Sequence, residues 1–313
     1  VSGTGGAGWR GPAAWTAVFA GGLLGTALVA PWVYAGLLAL DPQLPWPFGR
    51  VFNRLAMVVA LVILIAVRRE LGWHHLRRLL AAGRPGERWR AVAVGFGVAI
   101  AGTATGVAWA ASSGELVPSE TGYPFLSFRV FGTLVGAFVT ALVEEGFFRG
   151  LMFPALAASL GAPTGALAGS VLFSVLHTLS ADRAYVWEGL SVGAGVDYLG
   201  VLVAHQAHPA VLRPLFGLFL VGLALALLVR RTGSLYLVIG LHAGWALAFQ
   251  LVRHATWPAV PAPRGLPTLA GRYFLLGQPW VWAAIAVTAA VALLWHLRAE
   301  RVGRRREGSG LAA

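Results

Sequence analysis

The chain has no cysteine and no lysine, and only twelve of its 313 residues are Asp or Glu. The first absence excludes disulfides, thiolate catalysis and Cys-ligated metal, and it leaves the redox compartment open. The second makes all 24 basic residues arginine; with so few acids the net charge is +12. Charge as a whole is scarce, at 12% against 58% hydrophobic residues, and the mean hydropathy is +0.72. A soluble domain carries roughly twice that charged fraction, about 25%, so the composition points to lipid as the solvent. A basic surplus can signal nucleic acid. Here the arginines sit mainly in short connections between apolar runs, as in membrane proteins, and no nucleic-acid partner is expected.

What is present in abundance is apolar sequence. A hydrocarbon core of about 30 Å takes roughly 20 helical residues to cross. Runs of about that length occupy 13–38, 51–67, 91–111, 127–147, 163–179, 215–229, 235–252 and 279–297. The expected fold is therefore all-α, a polytopic membrane protein with about eight transmembrane helices. Trp32, Trp46, Trp257 and Trp280 lie near run ends, where an apolar ring with a polar N–H favours the interface, and the 41 glycines suit close helix packing in lipid. The first run is long for a signal-peptide core and lacks a small-residue cleavage site, so it is expected as an uncleaved helix. No internal repeat and no soluble domain is visible. Residues 300–313 read as a basic, flexible tail. The connection from Arg68 to Arg90 holds seven arginines, Arg230 and Arg231 separate the sixth and seventh runs, and Arg298, Arg301 and Arg304 to Arg306 follow the last. An even number of spans with both termini cytoplasmic places all three clusters inside; the loop with Arg253, Arg264 and Arg272 fits this least well.

Ten of the twelve acids fall in connections, tails or run edges. The other two are adjacent, Glu144 and Glu145, in Ala141-Leu-Val-Glu-Glu-Gly-Phe-Phe-Arg149-Gly150. An acid within an apolar span is a functional candidate by default; a solvated helix terminus is the plain alternative. Glu145 and Arg149 are four apart and share a helix face, whereas Glu144 points about 100° away. One carboxylate can thus be structural and the other reactive. His177 near the end of the fifth run and His242 within the seventh add two imidazoles on separate spans. His74, His75, His205, His208, His254 and His296 lie in loops or at span ends and read as ordinary. The stretch from Ser180 to Pro214, with Asp182, Arg183, Glu188 and Asp197, reads as a surface loop or a substrate-facing lid.

Glu144-Glu145-x-x-x-Arg149, then Phe173-x-x-x-His177, then His242 in a later span resemble the CAAX protease and bacteriocin-processing family of intramembrane proteases, as does Arg231-Thr-Gly-Ser-Leu-Tyr ahead of the His242 helix. The resemblance covers about 125–252 as a catalytic core, between N-terminal transmembrane helices and a basic connection (1–124) and a last helix with its tail (253–313). It implies an endopeptidase in a membrane, in many relatives the inner (plasma) membrane of a prokaryote. The implied substrate is a membrane-associated protein or peptide. Glu144 and His177 would activate water and His242 would donate to the oxyanion, with Glu145, Arg149 and Phe173 supporting. The family usually has Asn four residues after the last histidine; here that position is Ala246, and Trp245 or water is a substitute donor. No cofactor is favoured, although Glu144, His177 and His242 also form a plausible zinc set with water fourth. A proton-coupled transporter and a non-catalytic protease-like scaffold are the competing classes.

Overall fold

The structure, a computed structural model, describes residues 12–67, 73–118, 128–179, 185–258 and 274–310. It is a helical bundle: α1 (Pro12–Leu40), α2 (Phe48–Val67), α3 (Trp73–Ala81), α4 (Pro85–Ser112), α5 (Phe128–Phe147), α6 (Phe153–Leu160), α7 (Ala162–Thr178), α8 (Ala194–Gln206), α9 (Pro209–Thr232), α10 (Tyr236–Ala255) and α11 (Pro279–Gly310). A π turn, Phe148–Met152, joins α5 to α6, and two three-residue strands, Leu116–Pro118 and Thr256–Pro258, pair antiparallel. Glu120, Asp182, Arg183, Arg264 and Arg272 lie outside the described residues.

Among the described residues, six stretches are long and apolar enough to cross a membrane: Ala17–Leu40, Pro85–Ser112, Val130–Leu160, Pro209–Thr232, Tyr236–Arg253 and Pro279–Val302. The runs expected at 51–67 and 163–179 also form helices, α2 and the 17-residue α7, so the all-α membrane architecture stands. The exposed apolar residues identify the solvent. Phe131, Val135, Val139, Leu142 and Val143 form an outward stripe along α5, a patch a soluble protein rarely leaves open.

Several expected boundaries move. The fourth run does not stop at 147. Pro154 has no N–H for the Gly150 carbonyl and its ring crowds that oxygen; the turn widens so that Phe153 N–H bonds Phe148 O instead, and the helix runs on to Leu160. Gly161 (φ 80, ψ 153), in a region open almost only to glycine, then reverses the chain into α7. The sixth helix starts at Pro209 rather than 215, because His208 caps it by accepting the Ala210 N–H and Pro209 suits a first turn. The presumed loop at 180–214 contains α8, whose Gly195 abuts the Ala27 carbonyl of α1 and whose buried Tyr198 packs on Phe48 and Phe52. The tail is helical to Gly310, since arginine supports a helix nearly as well as alanine.

α10 is the most enclosed helix. Gly240-x-x-x-Gly244 lies against α4: a methyl on Gly240 would strike the Val92 carbonyl, and one on Gly244 would stand 2.6 Å from the Ala99 Cβ. Such small-residue seams let backbones meet in lipid. His242 lies two residues from each glycine, about 200° around the helix, so the seam that fixes α10 turns His242 toward α5 and α7.

Candidate functional site

Along α5, Ala137, Ala141 and Glu145 succeed one another every turn, all buried, and Arg149 continues the line into the π turn. The tandem acids are therefore not a solvated helix terminus. Glu145 is 0% and Arg149 2% exposed. Arg149 donates to Glu145 Oε1 at 3.0 Å and to the Gly222 carbonyl of α9 at 3.0 Å, and its guanidinium lies 4.6 Å from the Phe173 ring centre. A buried arginine thus has a charge partner, a carbonyl and an aromatic face.

Glu144, one residue away, meets the histidines. Its Oε2 is 3.1 Å from His177 Nε2 and 3.7 Å from His242 Nε2. Its side chain keeps 25% exposure and that of His177 19%. The depth at which α5 and α7 meet follows from the hairpin: Glu144 lies seventeen residues before Gly161 and His177 sixteen after it, so two antiparallel helices bring them level.

Hydrogen-bond valence assigns the ring protons. The Phe173 carbonyl, 2.7 Å from His177 Nδ1, can only accept, so Nδ1 carries hydrogen. The Nε2 contact with Glu144 then requires one further proton shared by acid and imidazole. Glu145 Oε1 accepts from His242 Nδ1 at 2.7 Å while also accepting from Arg149, so His242 presents Nε2 toward Glu144. Phe173 packs on His177 at 4.1 Å between ring centres and on His242 at 6.1 Å, holding both rings.

Thus Glu144, Glu145, Arg149, Phe173, His177 and His242 converge. Ala246, on the next turn of α10 from His242, is partly exposed and offers no donor. Trp245 is buried, and its indole N–H has no hydrogen-bond partner among the described residues. Sequence reasoning missed Gly222: its carbonyl is a ligand of Arg149, and a methyl there would stand 3.0 Å from Ser170 Cα. Its only trace in the sequence is a glycine amid the apolar residues of α9. The remaining described histidines have other surroundings, with His208 a cap and His296 paired with Glu300. An open recess of about 380 Å³ between α1 and α2, lined by Tyr34, Trp46 and Arg50 among others, contains neither acid nor histidine.

Glu144, His177 and His242 are the side chains that could hold a metal. Among the described residues, no group of three or more His, Asp or Glu is arranged as a metal cage. Two features would serve either chemistry: both imidazoles present Nε2 to one carboxylate, and both have Nδ1 engaged by an acceptor behind.

No curated protein and no solved structure matches the chain. Residues 125–248 match the family model described as type II CAAX prenyl endopeptidase Rce1-like, and that segment contains every residue of the site. Over this segment the chain is similar to the CAAX protease family of membrane endopeptidases.

Proposed function

We propose that the chain hydrolyses a peptide bond of a membrane-associated protein or peptide with water activated by Glu144 and His177. The observation that carries this reading is the contrast between adjacent acids. Glu145 is wholly buried and paired, while Glu144 is partly open and hydrogen-bonded to an imidazole. Both carboxylates bond an imidazole, but only Glu144 is open enough for a water to reach it, as general-base work requires.

In this mechanism Glu144 and His177 take the proton of a water that attacks the scissile carbonyl, and return it to the departing amine. His242 bonds the tetrahedral oxyanion through Nε2. Because Nδ1–H is committed to Glu145, donation from Nε2 requires the imidazolium form of His242. Glu145 is then a positioning residue acting through His242, held in turn by Arg149. No serine or threonine nucleophile is invoked, and zinc would have to displace the proton shared by Glu144 and His177.

The test is reconstitution of the wild type and Glu144→Gln in liposomes with membrane-anchored peptides, read by mass spectrometry for new termini. The wild type generates a terminus that Glu144→Gln does not, while both proteins insert and stay folded. Equal cleavage by the two would reject Glu144 as the base.

A further inference from the structure

α3 is too short to cross a membrane, about 13 Å for its nine residues. Its sequence, WHHLRRLLA, splits into faces. Leu76, Leu79 and Leu80 pack against the core, while His74, Arg77 and Arg78, spaced i, i+3 and i+4, are exposed together, with Trp73 44% exposed beside them. The helix is firmly seated. Arg88 donates to the Ala81, Ala82 and Gly83 carbonyls at its C-terminal end, and the Tyr236 hydroxyl donates to the Leu80 carbonyl at 2.7 Å. Tyr236 is the first residue of the helix that carries His242.

The inward face touches the other half of the site. Leu76, 8% exposed, sits behind the acidic motif against Gly146 and Gly150. A methyl on Gly150 would stand 2.5 Å from Leu76 Cδ1, and one on Gly146 4.0 Å from it. The two glycines inside Glu144-Glu145-Gly146-Phe-Phe-Arg149-Gly150 thus form a notch for one side chain of α3, opposite the catalytic face. α3 contacts both helices that supply Glu144 and His242.

The outward face has no carboxylate partner among the described residues; Arg78 bonds only the Nδ1 of His75 at 2.5 Å. Arg88 over the Tyr236 ring and Arg90 over the Trp295 ring bring the arginine-rich start of α4, the start of α10 that follows Arg230 and Arg231, and the arginine-rich end of α11 to the same end of the bundle as α3. An amphipathic helix at the end of a membrane bundle, apolar inward and Arg-Arg outward with a flanking tryptophan, fits an anionic lipid surface.

The geometry points to α3 as a lipid-sensing helix: Arg77 and Arg78 bind the phosphate headgroups of anionic phospholipids, and Leu76 transmits the resulting position of α3 to the Glu144–Arg149 turn. The effect on cleavage rests on the protease reading; the effect on the turn does not.

The experiment uses the full chain in nanodiscs of phosphatidylcholine alone or with phosphatidylglycerol. It measures retained phosphatidylglycerol, amide hydrogen exchange over 144–152, and peptide cleavage. Phosphatidylglycerol is expected to slow exchange over 144–152 severalfold and raise cleavage. Arg77→Gln/Arg78→Gln is expected to lower the preference for phosphatidylglycerol on the order of tenfold to thirtyfold and to abolish both responses. Leu76→Ala is expected to retain the lipid and lose the exchange response. Exchange that responds to lipid without cleavage in any nanodisc would support the coupling and sink the protease reading alone. Equal lipid retention by the wild type and the double variant would overturn the binding face, and exchange over 144–152 indifferent to phosphatidylglycerol in the wild type would overturn the coupling.

Discussion

Replacing Glu145 by Gln removes a charge from the most enclosed acid of the site and leaves Arg149, 2% exposed, without its counter-ion. Breaking a buried ion pair from one side typically costs about 3–5 kcal/mol. Arg149 keeps the Gly222 carbonyl and the Phe173 ring, so the lower end applies, about 3 kcal/mol, or roughly a hundredfold in the unfolding equilibrium. Arg149→Met should cost a similar amount by stranding Glu145. The double variant Glu145→Gln/Arg149→Met removes both charges together and should recover much of the loss, because neither ion is then buried alone. Activity should behave differently. His242 Nδ1 donates to Glu145 at 2.7 Å, and in the double variant it faces a neutral amide, so turnover stays low after stability returns. Reversible unfolding in mixed micelles gives the stability cycle, and single-turnover cleavage gives the other readout. A Glu145→Gln protein within about 1 kcal/mol of wild type, or a double variant with full turnover, would refute the assignment of Glu145 as both counter-ion and His242 partner.

Ala246→Asn adds a side chain one turn from His242, at a partly exposed position; as an oxyanion donor it should raise kcat by up to about a hundredfold with little change in KM, and a stable variant with unchanged turnover would mean the role is already filled. If the mechanism is metal-free, activity should survive a strong chelator and the purified chain should hold well under one metal per molecule; a stoichiometric metal whose return restores activity would reassign Glu144, His177 and His242 as ligands. Reporter fusions after Arg90 and after Arg231 should both report the cytoplasm, given that the arginines of these connections lie at one end of the bundle; reports from opposite sides would break the topology.

Much of this protein is legible in one dimension because lipid imposes a simple rule. A chain crossing hydrocarbon must satisfy its backbone internally and hide its charges. Long apolar runs therefore read as helices, and two adjacent acids inside one of them stand out against ten in ordinary places. The i, i+4 spacing alone also binds Glu145 to Arg149, since that contact depends only on helix pitch. What the pattern leaves undetermined depends on contacts between distant segments. That α5 continues to Leu160 follows from a π turn forced by Pro154, and only that hairpin shows how Glu144 comes level with His177. That Arg149 ends on Gly222, 73 residues on, is a matter of helix packing. So is the placing of His242 against Glu145, which a glycine seam on the far side of α10 imposes, and so is the seating of Leu76 behind the acids. Local propensity and hydropathy carry information about neighbours in sequence, whereas the proton positions of a site depend on which acceptors the tertiary fold sets behind each ring.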